Sequence, residues 1–178
     1  MEYRQLGNTD LQISSIGMGC VTFGREIDRE ASFEVLDRAL DCGITLFDSA
    51  EAYAQGASEN VLGEWIADRG VRDRIVLATK VSGALTKDRV ISSAEESLRR
   101  LQVDQIDLFQ LHVWDDDTPL EETMDSLNSL VESGKVRFVG CSNWCARQLA
   151  KSLLLCQGAG LQKIQSVQPP YNLVQRDI

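Results

Sequence analysis

Four polar residues, each just beyond an apolar run, form a set able to move a proton. Asp48 follows Ile44-Thr45-Leu46-Phe47, and Tyr53 comes five residues later. Lys80 closes Ile75-Val76-Leu77-Ala78-Thr79. His112, the only histidine in the chain, closes Ile106-Asp107-Leu108-Phe109-Gln110-Leu111. A free phenol, with a pKa of about 10, is a poor proton shuttle near neutrality. A neighbouring ammonium favours the phenolate and lowers that pKa. Lys80 can supply the ammonium, and Asp48 can hold it charged and fixed. Tyr53 could then give or take a proton at a carbonyl oxygen, with His112 hydrogen-bonded to the same oxygen. Singly, each residue also has a structural reading: an Asp at a strand end often caps a helix, and a lone histidine often only bonds its surroundings. The case rests on the four together. A lysine at a strand end also suits a Schiff-base lyase, in which Lys80 itself is the nucleophile.

The elements that must carry these residues alternate. A hairpin of 3–6 and 11–14 around the turn 7–10 opens the chain. Strands follow at 16–19, 44–47, 75–80, 106–111, 136–141 and 164–168. Helices lie between them at about 29–41, 59–68, 87–101, from Pro119 to Gly134, and at 146–155. Gly43, Gly70 and Gly134 stop three of the helices. Thr86 is the expected N-cap of the third. Thr118 with Pro119 at the first helical position and Glu121 two residues on predicts a capping box for the fourth. This alternation is the sequence form of a parallel α/β fold. Gly17-Met18-Gly19 begins a dinucleotide-binding glycine motif but does not complete it. Polar residues recur at successive strand ends, and a barrel aims all of those at one mouth. The expectation is therefore a parallel (β/α)8 TIM-type barrel with an N-terminal β-hairpin and only about six βα units. Residues 1–178 are read as a single incomplete domain, with strands seven and eight missing and a sixth helix starting at 175–178.

A chain of 178 residues with 43% hydrophobic and 25% charged residues can form one soluble domain. Its net charge of −9 argues against nucleic acid and anionic membrane as partners. Asp115-Asp116-Asp117 reads as a solvated loop before a helix. Cys20, Cys42, Cys141, Cys145 and Cys156 are odd in number and lack CxxC spacing, so we expect reduced, mostly buried thiols and no metal site. Met1-Glu2-Tyr3-Arg4 has no signal-peptide h-region, and no apolar run reaches the ~20 residues of a membrane span. The protein is expected to be cytoplasmic.

The chain resembles the aldo-keto reductase family. The likeness runs through the hairpin, Gly17-Met18-Gly19, Asp48-Ser49-Ala50-Glu51-Ala52-Tyr53, Ser58-Glu59 and Leu62-Gly63. It continues through Thr79-Lys80, Leu111-His112, Gly134-Lys135-Val136-Arg137, Gly140-Cys141-Ser142-Asn143 and Gln168-Pro169-Pro170-Tyr171-Asn172. The resemblance implies reduction of an aldehyde or ketone, a small carbonyl substrate, by NADP(H) bound without a Rossmann domain. It implies Tyr53 as proton donor, Lys80 and Asp48 as its tuners and His112 as the residue orienting the carbonyl. Ser142, Asn143 and Gln168 match positions that hold the nicotinamide carboxamide, and the backbone at Gly19, Cys20 and Val21 approaches the cofactor. Cys20-Val21 departs from the family's common Thr-Trp.

Several of these residues also have structural readings. Ser142 and Asn143 could cap the fifth helix, and Gln168 could belong to a turn beside Pro169-Pro170. Trp114 either lines the substrate mouth or covers loop surface. Glu51 is expected to face solvent or to cap the second helix. In the family the seventh and eighth strands carry the aromatic that stacks on the nicotinamide and the basic residues that grip the 2′-phosphate. The resemblance therefore implies that this chain is an inactive fragment of such an enzyme. The alternative within the family is a non-catalytic, cofactor-binding and redox-sensing subunit.

Overall fold

The computed structural model describes residues 1–174 and 176. The expected start of a sixth helix at 175–178 falls largely outside the described residues. The chain opens with β1 (Tyr3–Gln5) and β2 (Gln12–Ser14), an antiparallel pair. Then come β3 (Gly17–Gly19), α1 (Arg29–Asp41), β4 (Leu46–Asp48), α2 (Ala57–Arg69) and β5 (Val76–Val81). They are followed by α3 (Lys87–Leu101), β6 (Ile106–Leu111), α4 (Leu120–Glu132), β7 (Val136–Ser142), α5 (Ala146–Ala159) and β8 (Ser166–Gln168). β3 to β8 form one parallel sheet in strict sequence order. A doubly wound sheet reverses its strand order at a switch point. Here every strand adds on the same side as the last, so the sheet curls as a partial barrel, as expected.

Each strand divides its side chains between two faces, because successive residues point opposite ways. Phe47, Leu77, Phe109, Leu111, Val139 and Cys141 share one buried core with helix residues that include Leu36, Leu62, Trp65, Val90, Met124 and Leu127. Phe47 and Trp65 meet with ring centroids 5.2 Å apart. The other face lines a cavity of about 430 Å3 bordered by Leu46, Asp48, Ala78, Leu108, Gln110 and Gln168, with Leu6 and Ile13 of the hairpin also against it. Lys80, Gln110, Gly140 and Ser166 share one register row across four strands. Glycine is required in that row: a Cβ on Gly140 would stand 2.3 Å from Ser166 Oγ and 3.2 Å from Gln110 Cγ.

The base of the sheet is tied by polar groups. Ser14 and Thr45 exchange hydrogen bonds of 2.9 and 3.0 Å between the hairpin and the residue before β4. Asp107, 2% exposed, accepts from Leu77 N at 2.9 Å and pairs with Arg72 and Arg137, each at 2.9 Å. Arg137 reaches on to Asp10 of the hairpin at 2.9 Å.

Two local expectations are corrected, and a third holds in position but without a side-chain bond. Thr118 does not cap α4: Pro119 holds the N-cap position, and the Thr118 hydroxyl donates instead to Asp115 Oδ2 at 2.6 Å. That hydroxyl is directed at the Asp115 carboxylate, and no side chain caps the start of α4. Thr86 does hold the N-cap position of α3, but the carboxylate of Glu122 in α4 takes the Lys87 N–H at 2.8 Å. Ser142 and Asn143 do not cap α5. Cys145 holds that place, and its N–H donates to Gln148 Oε1 at 2.8 Å.

Candidate functional site

Lys80 lies on β5, whose six residues are all buried, and is only 1% exposed. A buried ammonium needs partners for its three hydrogens. Lys80 Nζ finds both oxygens of Asp48 at 2.7 Å, the carbonyl of Ser49 at 2.8 Å and the phenol oxygen of Tyr53 at 3.3 Å. Asp48 also accepts from the side-chain amides of Gln110 at 3.4 Å and Gln168 at 3.3 Å. Because the Tyr53 oxygen accepts from Lys80, its own O–H is left to donate elsewhere.

Tyr53 enters this group by an unusual turn. Ala54, Gln55 and Gly56 all have positive φ, at 50°, 55° and 88°. For the two non-glycine residues this left-handed geometry is strained. It turns the chain directly from Tyr53 into α2, which starts at Ala57, two residues earlier than expected. His112 sits just past β6, its N–H donating to Val81 O at 2.9 Å and its carbonyl accepting from Asn143 Nδ2 at 3.0 Å. Its ring meets that of Tyr53 edge to face, with centroids 5.8 Å apart at 82°. Burial, assisted by the Lys80 charge, pushes the His112 pKa below its ordinary value, against the opposing pull of Asp48 and Glu51. The imidazole is therefore neutral at neutral pH. The structure brings Asp48, Tyr53, Lys80 and His112 together.

Ser142, Asn143 and Gln168 meet at the ends of β7 and β8. Ser142 Oγ and Asn143 N donate to the Gln168 carbonyl at 3.0 and 3.2 Å. Asn143, at φ 57°, also reaches Ser142 Oγ with its side chain at 3.1 Å. Gly19 pairs with Asp48 across β3 and β4, and a Cβ there would meet no atom within 4 Å. These are neutral donors and acceptors beside open space, with Ser166 Oγ nearby buried and, among the described residues, without a hydrogen-bond partner. Such a donor set fits a neutral carboxamide. Cys20 is fully buried behind this edge, and its N–H donates to Asp48 O at 2.9 Å. Burial raises its thiol well above the ordinary range. Val21 is 41% exposed. Trp114 packs edge to face on Trp144, centroids 4.8 Å apart, and its indole N–H donates to Asp116 at 2.7 Å.

Two contributors were missed by the sequence reading. Glu51 neither faces solvent nor caps α2. Its carboxylate accepts from Ser82 N at 2.7 Å and Ser93 Oγ at 2.6 Å, and it pairs with Arg89. Burial pushes its pKa up, but the bonds from Ser93 and Arg89 more than offset this and hold it low. Ser82 places its hydroxyl 2.9 Å from His112 Nδ1. The period of two along a strand points to Ser82, two residues past Lys80; no local pattern pairs Glu51 with α3.

Among the described residues no helix is long and apolar enough to cross a membrane, and no cluster of three or more His, Cys, Asp or Glu is placed to hold a metal. Comparison with known proteins adds the family. Aldo-keto reductase YhdN of Bacillus subtilis is 36% identical over all of this chain and 56% of its own length. Norsolorinic acid reductase B of Aspergillus parasiticus is 34% identical over 99% of the chain and 52% of its own length. A probable voltage-gated potassium channel subunit beta of Arabidopsis thaliana is 31% identical over 99% of the chain and 57% of its own length. The chain thus spans little more than half the length of these curated relatives. The aldo/keto reductase family model matches residues 15–178, and with the sequential parallel sheet and the Asp48-Tyr53-Lys80-His112 cluster it establishes that this chain belongs to that family.

Proposed function

We propose that this chain carries the proton-delivery half of an NADP(H)-dependent carbonyl reductase. The observation that carries the reading is the single ammonium of Lys80 bound at once to Asp48 and to the Tyr53 oxygen, with the His112 ring against Tyr53. Tyr53 donates its proton to the carbonyl oxygen of an aldehyde or ketone. Lys80, 3.3 Å away, stabilises the negative charge that grows on the phenol oxygen as the proton leaves. Asp48 holds Lys80 in place and balances its charge inside the fold. His112, neutral at neutral pH, offers a ring N–H to the same carbonyl oxygen and orients it. Ser142, Asn143 and Gln168 are the residues that would hold the carboxamide of a nicotinamide cofactor, with Gly19, Cys20 and Val21 bordering it. That cofactor supplies the hydride that no side chain here can provide. Trp114 borders the substrate beyond His112.

The Schiff-base alternative is disfavoured by the same contacts. A nucleophilic amine needs a free lone pair, whereas Lys80 meets more acceptors than it has hydrogens. The likeness to a potassium channel subunit supports a second reading, a non-catalytic, cofactor-binding and redox-sensing subunit.

This 178-residue polypeptide has, among its described residues, a parallel sheet open at β3 and β8. We expect it to reduce a simple aromatic aldehyde at least about 100-fold more slowly than a closed-barrel relative, because small misplacements of reacting groups cost that much. The test is transfer of deuterium from 4-deuterated NADPH into the product alcohol, read by mass spectrometry. Slow, stereospecific transfer supports the reading; turnover matching a closed-barrel relative would refute the predicted weakness of this polypeptide. A borohydride-trapped adduct on Lys80 without any transfer would favour the lyase.

A further inference from the structure

His112 can hold a carbonyl oxygen only through a nitrogen that carries hydrogen, because that oxygen is purely an acceptor. A neutral imidazole has one such nitrogen, and its bonding partners decide which. The ring leaves this choice to Ser82. The backbone of His112 is pinned on both sides, by Val81 O and by Asn143 Nδ2. At the ring, Nδ1 lies 2.9 Å from Ser82 Oγ. Among the described residues that hydroxyl has no other hydrogen-bond neighbour, so its hydrogen finds an acceptor in the protein only at Nδ1. If Nδ1 accepts, the hydrogen of the neutral ring must be on Nε2.

Ser82 is itself held from behind. Its N–H donates to Glu51 Oε1 at 2.7 Å, and its carbonyl accepts from Arg89 at 3.1 Å. Glu51 is further fixed by Ser93 Oγ at 2.6 Å. Glu51 lies between Asp48 and Tyr53 in the chain, so one loop both delivers the phenol and anchors the serine that orients the imidazole. We infer that Ser82 is a positioning residue for His112: its hydroxyl donates to Nδ1, fixes the Nε2–H tautomer and so readies Nε2 to meet the substrate carbonyl, while Glu51 and Arg89 hold the Ser82 backbone. This rests on the reductase reading for its purpose, but the tautomer itself does not depend on turnover.

The test exploits the single histidine of the chain. Nitrogen-15 spectra of the imidazole distinguish the two neutral tautomers without assignment, and the backbone amide spectrum reports whether each variant is folded. The wild type is expected as Nε2–H. Ser82→Ala should shift the tautomer ratio toward Nδ1–H by about fivefold, the scale of one hydrogen bond. Ser82→Thr, which keeps the hydroxyl, should restore the wild-type spectrum, which a merely space-filling role would not require. A wild type with the hydrogen on Nδ1, or a folded Ser82→Ala with an unchanged ratio, would overturn the inference. If the tautomer follows the prediction but no deuterium is ever transferred from NADPH, it is the reductase reading that fails, not the positioning.

Discussion

Lys80 shows what burial demands of a single side chain. An ammonium 1% exposed must be paired, and here the pairing reaches both Asp48 and Tyr53. Asp48, Lys80 and His112 were legible in the sequence because each is polar where an apolar strand runs out, and Tyr53 because it follows Asp48 by five residues. Glu51 and Ser82 were not, because their bonds reach across 30 to 42 positions of sequence. His112 carries a pH prediction. Its folded pKa is lowered by burial and by Lys80, so the folded state binds the proton less readily than the unfolded chain. Above the unfolded value of about 6.5 both states are neutral, and His112 adds no pH dependence. Below it the unfolded state gains the proton first, and stability falls until the folded pKa is passed. Urea unfolding at pH 7 and pH 5 should therefore show a larger loss for the wild type than for His112→Gln. Equal losses would show that His112 is not shifted.

At the scale of elements, the turn after Tyr53 is the strained piece. Ala54 and Gln55 occupy the left-handed region, which glycine adopts freely and other residues only at an energetic cost. Ala54→Gly removes the Cβ penalty at some cost in chain entropy. We expect it to stabilise the protein by about 0.5–1 kcal/mol, read as a higher urea midpoint at unchanged slope. A loss of stability would mean that the turn is not left-handed at this position. The turn illustrates where sequence reading stops. Asp48 to Tyr53 could be placed by position, but two non-glycine residues with positive φ carry no local signal, so α2 was read as starting late. The helix ends marked by Gly43, Gly70 and Gly134, each at positive φ, were readable because glycine alone takes that geometry freely. The start of α4 was misread by one residue because Asp115, a long-range acceptor for Leu85 N at 2.8 Å, also claims the Thr118 hydroxyl.

At the scale of the molecule, strand order decides how the site assembles. Sequential parallel pairing from β3 to β8 sends every strand end to the same rim, which is why residues as far apart as Asp48 and Gln168 share a hydrogen bond of 3.3 Å. Alternation of elements made this legible; the tie that closes the opposite end was not. Asp107 joins β5, β6, β7 and the turn at Arg72 through one buried carboxylate, and Arg137 extends the tie to the hairpin. Asp107→Ala takes one partner from each of two guanidinium groups, which keep Asp10 and the carbonyls of Ile75 and Gln105, and leaves the Leu77 N–H unpaired; it should cost about 3 kcal/mol of stability in urea unfolding. A cost below about 1 kcal/mol would show that the arginines find solvent without loss. The buried thiols bear on the redox-sensing reading: burial raises Cys20 and Cys156 and pushes Cys141 up to about 12, which leaves them protonated and poorly reactive.

The central claim is that Tyr53 gives the proton. The measurement is deuterium transfer from 4-deuterated NADPH to an aromatic aldehyde, compared between wild type and Tyr53→Phe, with NADPH binding followed by its fluorescence. The account predicts that transfer falls by about 10²–10⁴-fold while NADPH binding is unchanged, since the phenylalanine keeps the ring and loses only the acid. Equal transfer rates in the two proteins would contradict it.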